Sequence, residues 1–248
     1  SEARCPFCPG HESDTPPEIV RAGDANGWHA RVFPNKYPPV AGAEVIVESA
    51  DHAARFESIE DAEAVVTLYV DRYRAHADAA YTAVFKNEGP AAGSSIEHVH
   101  SQIVPLPFVP PRIARELEAF GDACPLCAAI ERHRGEGLVI RESASFVWLA
   151  PSGSWVAYQQ WVVPKAHVSE MTSFDIAELA SLLREVARAT GAAAPAYNWA
   201  FINFPRSTRG HAYVDVLPRM TAIAGLELGT GTFVEIVDPA RAAEILRR

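Results

Sequence analysis

Two segments place apolar side chains three and four residues apart. In residues 58–80, SIEDAEAVVTLYVDRYRAHADAA, these are Val65, Val66, Tyr69, Val70 and Tyr73. In residues 173–190, SFDIAELASLLREVARAT, they are Ile176, Leu179, Leu182, Leu183 and Val186. That spacing predicts two amphipathic helices, with Ser58 and Ser173 as candidate N-caps and acids in the first turns. Shorter runs rich in β-branched and aromatic residues predict strands: 30–35 ARVFPN and 43–49 AEVIVES before the first helix, and 138–143 LVIRES, 146–151 FVWLAP and 159–165 QQWVVPK before the second. Further strand pairs close each group. The order strands, helix, strands predicts an α+β fold, an antiparallel sheet with helices packed against it.

The same plan occurs twice, and so do its landmarks. Cys5-Pro-Phe-Cys8 is matched by Cys124-Pro-Leu-Cys127, 119 residues on. His52 follows Cys8 by 44 residues, and His167 follows Cys127 by 40. Asn87 in VFKNEG is paired with Asn203 in AFINFP. HVHSQIVP begins at His98 and HAYVDVLP at His211, each with proline seven residues later. This order of landmarks predicts an internal duplication of two fused modules, residues 1–112 and 113–248. The Pro-rich stretch 104–112 would end the first copy, and the acidic segment to Ala123 would join it to the second.

Composition narrows the chemistry. The chain has 248 residues, 48% of them hydrophobic and 21% charged, enough for a core without disulfide staples. The formal net charge of -9 argues against a general nucleic-acid surface but leaves room for a locally positive pocket. No run of about 18 apolar residues predicts a membrane helix, and the start SEARCPFC lacks a signal-peptide pattern. A cytoplasmic location is the expectation, and there a Cys-x-x-Cys pair is a metal or redox site.

Each cysteine pair with its two distant histidines supplies four donors suited to tetrahedral zinc. The expected sets are Cys5, Cys8, His52 and His98, and Cys124, Cys127, His167 and His211. Each shell is closed, so the two ions would be structural. His11, His29 and His133 have no evident partner and are expected at the surface.

The stretch 94–105, SSIEHVHSQIVP, then needs a second reading. On a strand, His98, His100 and Gln102 share one face, about 7 Å apart. With His98 on the metal, His100 is placed to act as a nucleophile or general base. Gln102 can donate to an oxygen at the same centre. Upstream, Asn87, Gly89, Gly93, Ser94 and Ser95 offer backbone and side-chain donors for an anion. The second copy has Tyr213 where the first has His100, and Asp215 in place of Gln102. The metal histidine is kept in both and the reactive pair in one, as expected when one site specialises.

Taken together these residues resemble the galactose-1-phosphate uridylyltransferase family, a branch of the histidine-triad superfamily. That branch carries Cys-Pro-x-Cys near the start, VFPNKYP-like text, Asn-x-Gly before a Gly-Ser loop, and His-Pro-His-x-Gln. This chain has CPFC, RVFPNKYPPV, FKNEGPAAGSS, HVHSQ and, near its end, GLELGTGTFVEIVDPARAAEILR. The resemblance covers essentially the whole chain and implies two histidine-triad-like modules, the second degenerate. It implies that His100 attacks the α-phosphorus of a nucleotide sugar and that Gln102 steadies the phosphoryl oxygen. Asn87, Gly93 and Ser95 would line the phosphate site, Phe33 and Asn35 the nucleoside, and Glu227 the sugar. A homodimer is implied, with a sugar phosphate as second substrate. Two departures are Val99 for the usual proline and Lys36 where several uridylyltransferases carry an acid. Three readings follow: transfer from a UDP-glucose-type donor to a sugar 1-phosphate; an ADP-glucose-type phosphorylase or hydrolase using the same histidine; and a non-catalytic, zinc-stabilised nucleotide-binding module.

Overall fold

Both amphipathic helices form, and both bury the stripe that the spacing marks. In the computed structural model, which describes residues 5–24, 27–207 and 209–248, α1 spans Ala62–Ala75 and α4 spans Ile176–Ala193. Val65, Val66, Tyr69, Val70 and Tyr73 are buried, as are Leu179, Leu182, Leu183 and Val186; Ile176 is half-buried. Each such side chain contributes about 1.5–3 kcal/mol by leaving water. The N-caps differ from expectation. Asp61 accepts from the Ala64 amide and Asp175 from the Glu178 amide, each at 3.0 Å. Ser58 instead closes its own 3₁₀ turn with Arg55, and Ser173 ends another. A carboxylate one step before the helix meets the free amides and the positive end of the helix dipole better than a hydroxyl further upstream. Asp175→Ala is therefore expected to lower stability by about 1 kcal/mol, read as a lower urea midpoint at unchanged slope.

The strands are β1 Val20–Asp24, β2 Gly27–Pro34, β3 Glu44–Val47, β4 Tyr81–Glu88, β5 His100–Leu106, β6 Val139–Glu142, β7 Phe146–Leu149, β8 Gln160–Pro164, β9 Tyr197–Ile202 and β10 Tyr213–Pro218. They form one sheet, ordered β1-β2-β3-β5-β4-β9-β10-β8-β7-β6, with all neighbours antiparallel. Read inward from either edge the order is the same, and the two sets of five strands meet where β4 pairs with β9. Among the described residues the further α-helices are α2 Pro111–Ala119, α3 Pro125–Gly135, α5 Gly225–Thr230 and α6 Pro239–Leu246. Residue 112, the expected boundary, lies in the first turn of α2. Among the described residues no helix is long and apolar enough to cross a membrane.

The two faces of the sheet have different fates. Val32, Ile46, Ile103, Val84, Phe201, Val214 and Val162 pack with α1, α4 and α6 in the main core. The opposite face carries Phe33, Val45, Gln102, Phe85, Ala200, Asp215 and Trp161, one directly beside the next across successive strands. Since residues two apart share a face, His100 and Tyr213 are on this side too. The helices α2 and α3 cover its second half; the segment around Cys5–Cys8 packs on its first half.

Strand register also corrects one pairing of landmarks. Lys86 lies opposite Ser101, which sets Asn87 beside His100, while Tyr213 lies opposite Ile202. Ile202, not Asn203, is thus the counterpart of Asn87. A slip of one residue turns a side chain to the other face. Asn203 is fully buried, accepting from the Met171 amide at 2.7 Å. His133 departs from expectation as well. It is 1% exposed, with Nδ1 2.6 Å from the Ala129 carbonyl and Nε2 accepting from the Ser152 amide. His11 is half-buried against the Cys5 carbonyl, whereas His29 is exposed, near Asp24 and Asp61.

Candidate active site and metal centres

The N-terminal turn, the loop after β3 and the approach to β5 converge on one cluster. Cys5, Cys8, His52 and His98 place their donor atoms within 4.8 Å of one another. His98 Nδ1 is 3.6 Å from both sulfurs, and His52 Nδ1 is 3.3 Å from Cys8 Sγ. A tetrahedral ion with ordinary Zn–S and Zn–N bond lengths separates sulfur from nitrogen by about 3.5 Å, so the donor set fits a metal. His98 Nε2 lies 2.7 Å from the Ser49 carbonyl. A carbonyl can only accept, so the proton sits on Nε2 and the Nδ1 lone pair faces the sulfurs. Burial holds the His98 imidazole below its usual pKa, which also favours the neutral ligand form.

The second cluster repeats this geometry at a more open place. His211 Nδ1 is 3.4 Å from Cys124 Sγ and 3.5 Å from Cys127 Sγ, His167 Nδ1 is 3.8 Å from Cys127 Sγ, and His211 Nε2 is 2.9 Å from the Pro164 carbonyl. Cys5, Cys8 and His98 are buried in the first cluster; in the second only His211 is, and His167 is exposed. Both clusters could hold a metal ion.

His100 stands at the start of β5 with 7% of its surface exposed. Its Nδ1 is 2.7 Å from the His98 carbonyl. By the same logic Nδ1 carries the proton and Nε2 keeps its lone pair. Burial is the largest influence on this ring and lowers its pKa; Lys86 adds to the effect, and the His98 carbonyl opposes it. Both the direction of the shift and the contact at Nδ1 favour the neutral imidazole, with the Nε2 lone pair unprotonated. The Phe7 ring meets it edge-on, 5.3 Å between centroids.

Beneath His100, on the helix side, lies a buried polar network absent from the sequence reading. Lys86 Nζ contacts Glu48 at 2.6 Å, Glu88 at 3.2 Å and the His100 carbonyl at 3.3 Å. Tyr69 and Ser101 hydroxyls both donate to Glu48. Burial, then Glu48, pushes the Tyr69 phenol well up. The strand bearing His100 is thereby tied to β4, α1 and the end of β3.

The other expected residues divide into two groups. Phe33 is 2% exposed, on the same row as Gln102 two strands away, with the Arg31 guanidinium 4.8 Å over its ring. Asn87 accepts from Asn198 Nδ2 at 2.8 Å, and the same nitrogen donates to the Ala92 carbonyl at 2.8 Å. Asn198, from the other half, so holds the 89–95 loop against Asn87 beside His100. Gly89 and Gly93 have φ of 83° and 86°, which glycine adopts without strain. Gly93 and Ser95 are exposed. Phe33 and Asn87 lie close to His100, the first through the shared Phe7 ring and the second through strand register. Asn35 and Glu227 are engaged in turns of their own. The Asn35 carboxamide accepts from the Tyr37 amide in the turn after β2. Glu227 accepts from the Ala224 amide and lies by Trp155 and Phe233 on the second half.

Residues 40–247 match the family described as Domain of unknown function (DUF4921). The chain belongs to this family. Members of the galactose-1-phosphate uridylyltransferase-like group are its relatives. The chain is 29% identical to the ADP-glucose phosphorylase of Arabidopsis thaliana, over 98% of this chain and 81% of that protein. It is 27% identical to the galactose-1-phosphate uridylyltransferase of Thermotoga maritima, over 100% and 90%. The crystal structure of an ADP-glucose phosphorylase from Arabidopsis thaliana with bound ADP-glucose aligns with a TM-score of 0.88 at 28% identity, covering 98% of this chain and 88% of that one. The DUF4921 chain is thus galactose-1-phosphate uridylyltransferase-like along its whole length.

Proposed function

We propose that this DUF4921 chain moves a nucleoside monophosphate from a nucleoside diphosphate sugar to a phosphate-bearing acceptor, through a covalent bond to His100. The observation that carries the reading is the 2.7 Å contact of His100 Nδ1 with the His98 carbonyl, which leaves the Nε2 lone pair for attack. Nε2 attacks the α-phosphorus, the bond from that phosphorus to the bridging oxygen breaks, and hexose 1-phosphate leaves with the electron pair. The ring becomes cationic, and the carbonyl on Nδ1–H stabilises it. An oxygen of the acceptor then attacks the phosphorus, and the P–N electron pair returns to Nε2. Splitting one transfer into two is the logic of covalent catalysis.

Gln102 donates to the phosphoryl oxygen, and Asn87, Gly93 and Ser95 cradle the phosphates. Phe33 lies at the nucleoside, with Asn35 at its outer edge. Zinc on the two Cys₂His₂ sets is structural, pinning His98 and so the carbonyl that orients His100. Glu227, which lies beside Trp155 in its own chain, reaches the sugar across a homodimer. The catalytic half is residues 1–112 and the degenerate half 113–248.

ADP-glucose as donor and inorganic phosphate as acceptor are supported by the Arabidopsis relative. The second reading, UDP-glucose with galactose 1-phosphate, is supported by the Thermotoga relative. The test is incubation with ADP-glucose or UDP-glucose labelled at the α-phosphate. An acid-labile, base-stable label on the protein is expected from ADP-glucose and is discharged by phosphate as ADP. Label from UDP-glucose alone moves the assignment to the second reading, and no label from either removes His100 as nucleophile.

A further inference from the structure

The second half has a cavity of its own, in the place where the first half has His100. Tyr213 and Asp215 on β10, with His211 just before it, repeat the spacing of His98, His100 and Gln102, and the two strand residues lie on the same face of the sheet. A cavity of about 380 Å³ opens over Tyr213, roofed by α2 and α3. That is within the size range of small-molecule sites. Its walls include Phe120, Leu126, Trp155 and Trp161.

The polar groups at its base are already paired with one another. Arg112 Nη2 contacts Asp215 at 2.7 Å and the Tyr213 hydroxyl at 3.1 Å, and its Nε contacts Glu116 at 2.6 Å. Tyr213 donates to Glu116 at 3.0 Å, and Gln159 and Trp161 donate to Asp215. At the base two carboxylates occupy Arg112, and Arg132, the other guanidinium of the lining, has an exposed side chain 4.0 Å from Glu136, so a phosphate at the base would meet repulsion and no unshared cation. A planar ring loses nothing to these charges and gains aromatic contact.

We infer that this second cavity binds the uncharged planar ring of a nucleoside and excludes its phosphate esters. The choice of a nucleoside over other aromatics rests on the proposed nucleotide chemistry of the first half; the exclusion of phosphate rests on Arg112, Glu116 and Asp215 at the base, with Arg132 shared with Glu136. No transfer occurs there, because Tyr213 replaces the imidazole and its hydroxyl is held between Arg112 and Glu116.

The experiment is equilibrium dialysis of the full chain with adenosine and, separately, uridine, in saturating AMP. One further equivalent of at least one nucleoside is expected, accompanied by a saturable change in tryptophan fluorescence. Ala119 lines the cavity at an exposed position of α2, so Ala119→Trp fills the space with little demand on the core. It is expected to weaken this equivalent by about tenfold or more, near 1.4 kcal/mol, while leaving labelling of His100 unchanged. His100→Gln should leave the equivalent in place. Binding that AMP displaces completely, binding indifferent to Ala119→Trp, or no binding of either nucleoside overturns the inference. An Ala119→Trp-sensitive equivalent in a protein that never labels at His100 would instead sink the first-half reading and leave this cavity standing.

Discussion

His100→Gln will slow nucleotidyl transfer by about 10⁴-fold or more and abolish the protein-bound label, in a chain that still folds. The size follows from the role. Loss of a covalent nucleophile removes the route itself, and such losses reach several orders of magnitude. The fold should survive because glutamine is of similar size and its amide can still donate to the His98 carbonyl, the ring's hydrogen-bond partner among the described residues, where it also packs on Phe7. The measurement is single-turnover release of hexose 1-phosphate, with a thermal melt of the same sample. A variant that turns over within tenfold of the parent would show that Nε2 is not the attacking atom. A collapse of the melt would point instead to a structural histidine, and His100→Asn with its own label and melt then separates the two.

Cys8→Ser will strip the first cluster of its ion and destabilise the chain by about 3 kcal/mol or more. Structural zinc contributes about 10–16 kcal/mol of apparent binding free energy in small domains, so losing one thiolate forfeits much of it. For a chain of this size that corresponds to a fall in melting temperature of about 6–12 °C. The effect should reach the chemistry, because the cluster fixes His98, whose carbonyl holds the His100 proton; removing such support typically costs about 10- to 100-fold. Elemental analysis of the parent should find about two zinc ions per chain, and one in the variant. The second cluster should release its ion first to a chelator, since His167 is exposed and both of its cysteines are only half-buried. A parent without metal, or a Cys8→Ser protein that keeps both ions and its melting temperature, would defeat the proposal.

Much of this was legible along the chain because it is periodic or paired. The stripes of α1 and α4 needed only helical spacing, and the residues named were those buried. The eight cysteines and histidines were legible because the same four types recur in the same order, and the structure groups them in two fours. Ser58 and Asp61, or Ser173 and Asp175, are equally good caps by residue type; the amide direction at the helix start decides. Spacing pairs Asn203 with Asn87 because a one-residue slip is invisible without a register. Arg31, Lys86, Asn198 and Arg112 gave no local signal. Of their partners, Asp215 for Arg112 and Asn87 for Asn198 are more than a hundred residues away in the chain, and Glu48 for Lys86 and Pro6 for Arg31 lie on other segments, 38 and 25 residues away.

What the sequence by itself determined is the inventory: an α+β plan stated twice, two Cys₂His₂ donor sets, and one half with His100 and Gln102 against another with Tyr213 and Asp215. Apolar periodicity and donor type are properties of residues, so a one-dimensional reading reaches them. Only the tertiary structure decided that the ten strands form a single sheet joined at β4 and β9. It alone decided that the His98 carbonyl fixes the tautomer of His100 and that Arg112 is claimed by two carboxylates. Those outcomes depend on register, on the direction of single hydrogen bonds and on what burial leaves unscreened, and none of these exists until the chain has folded.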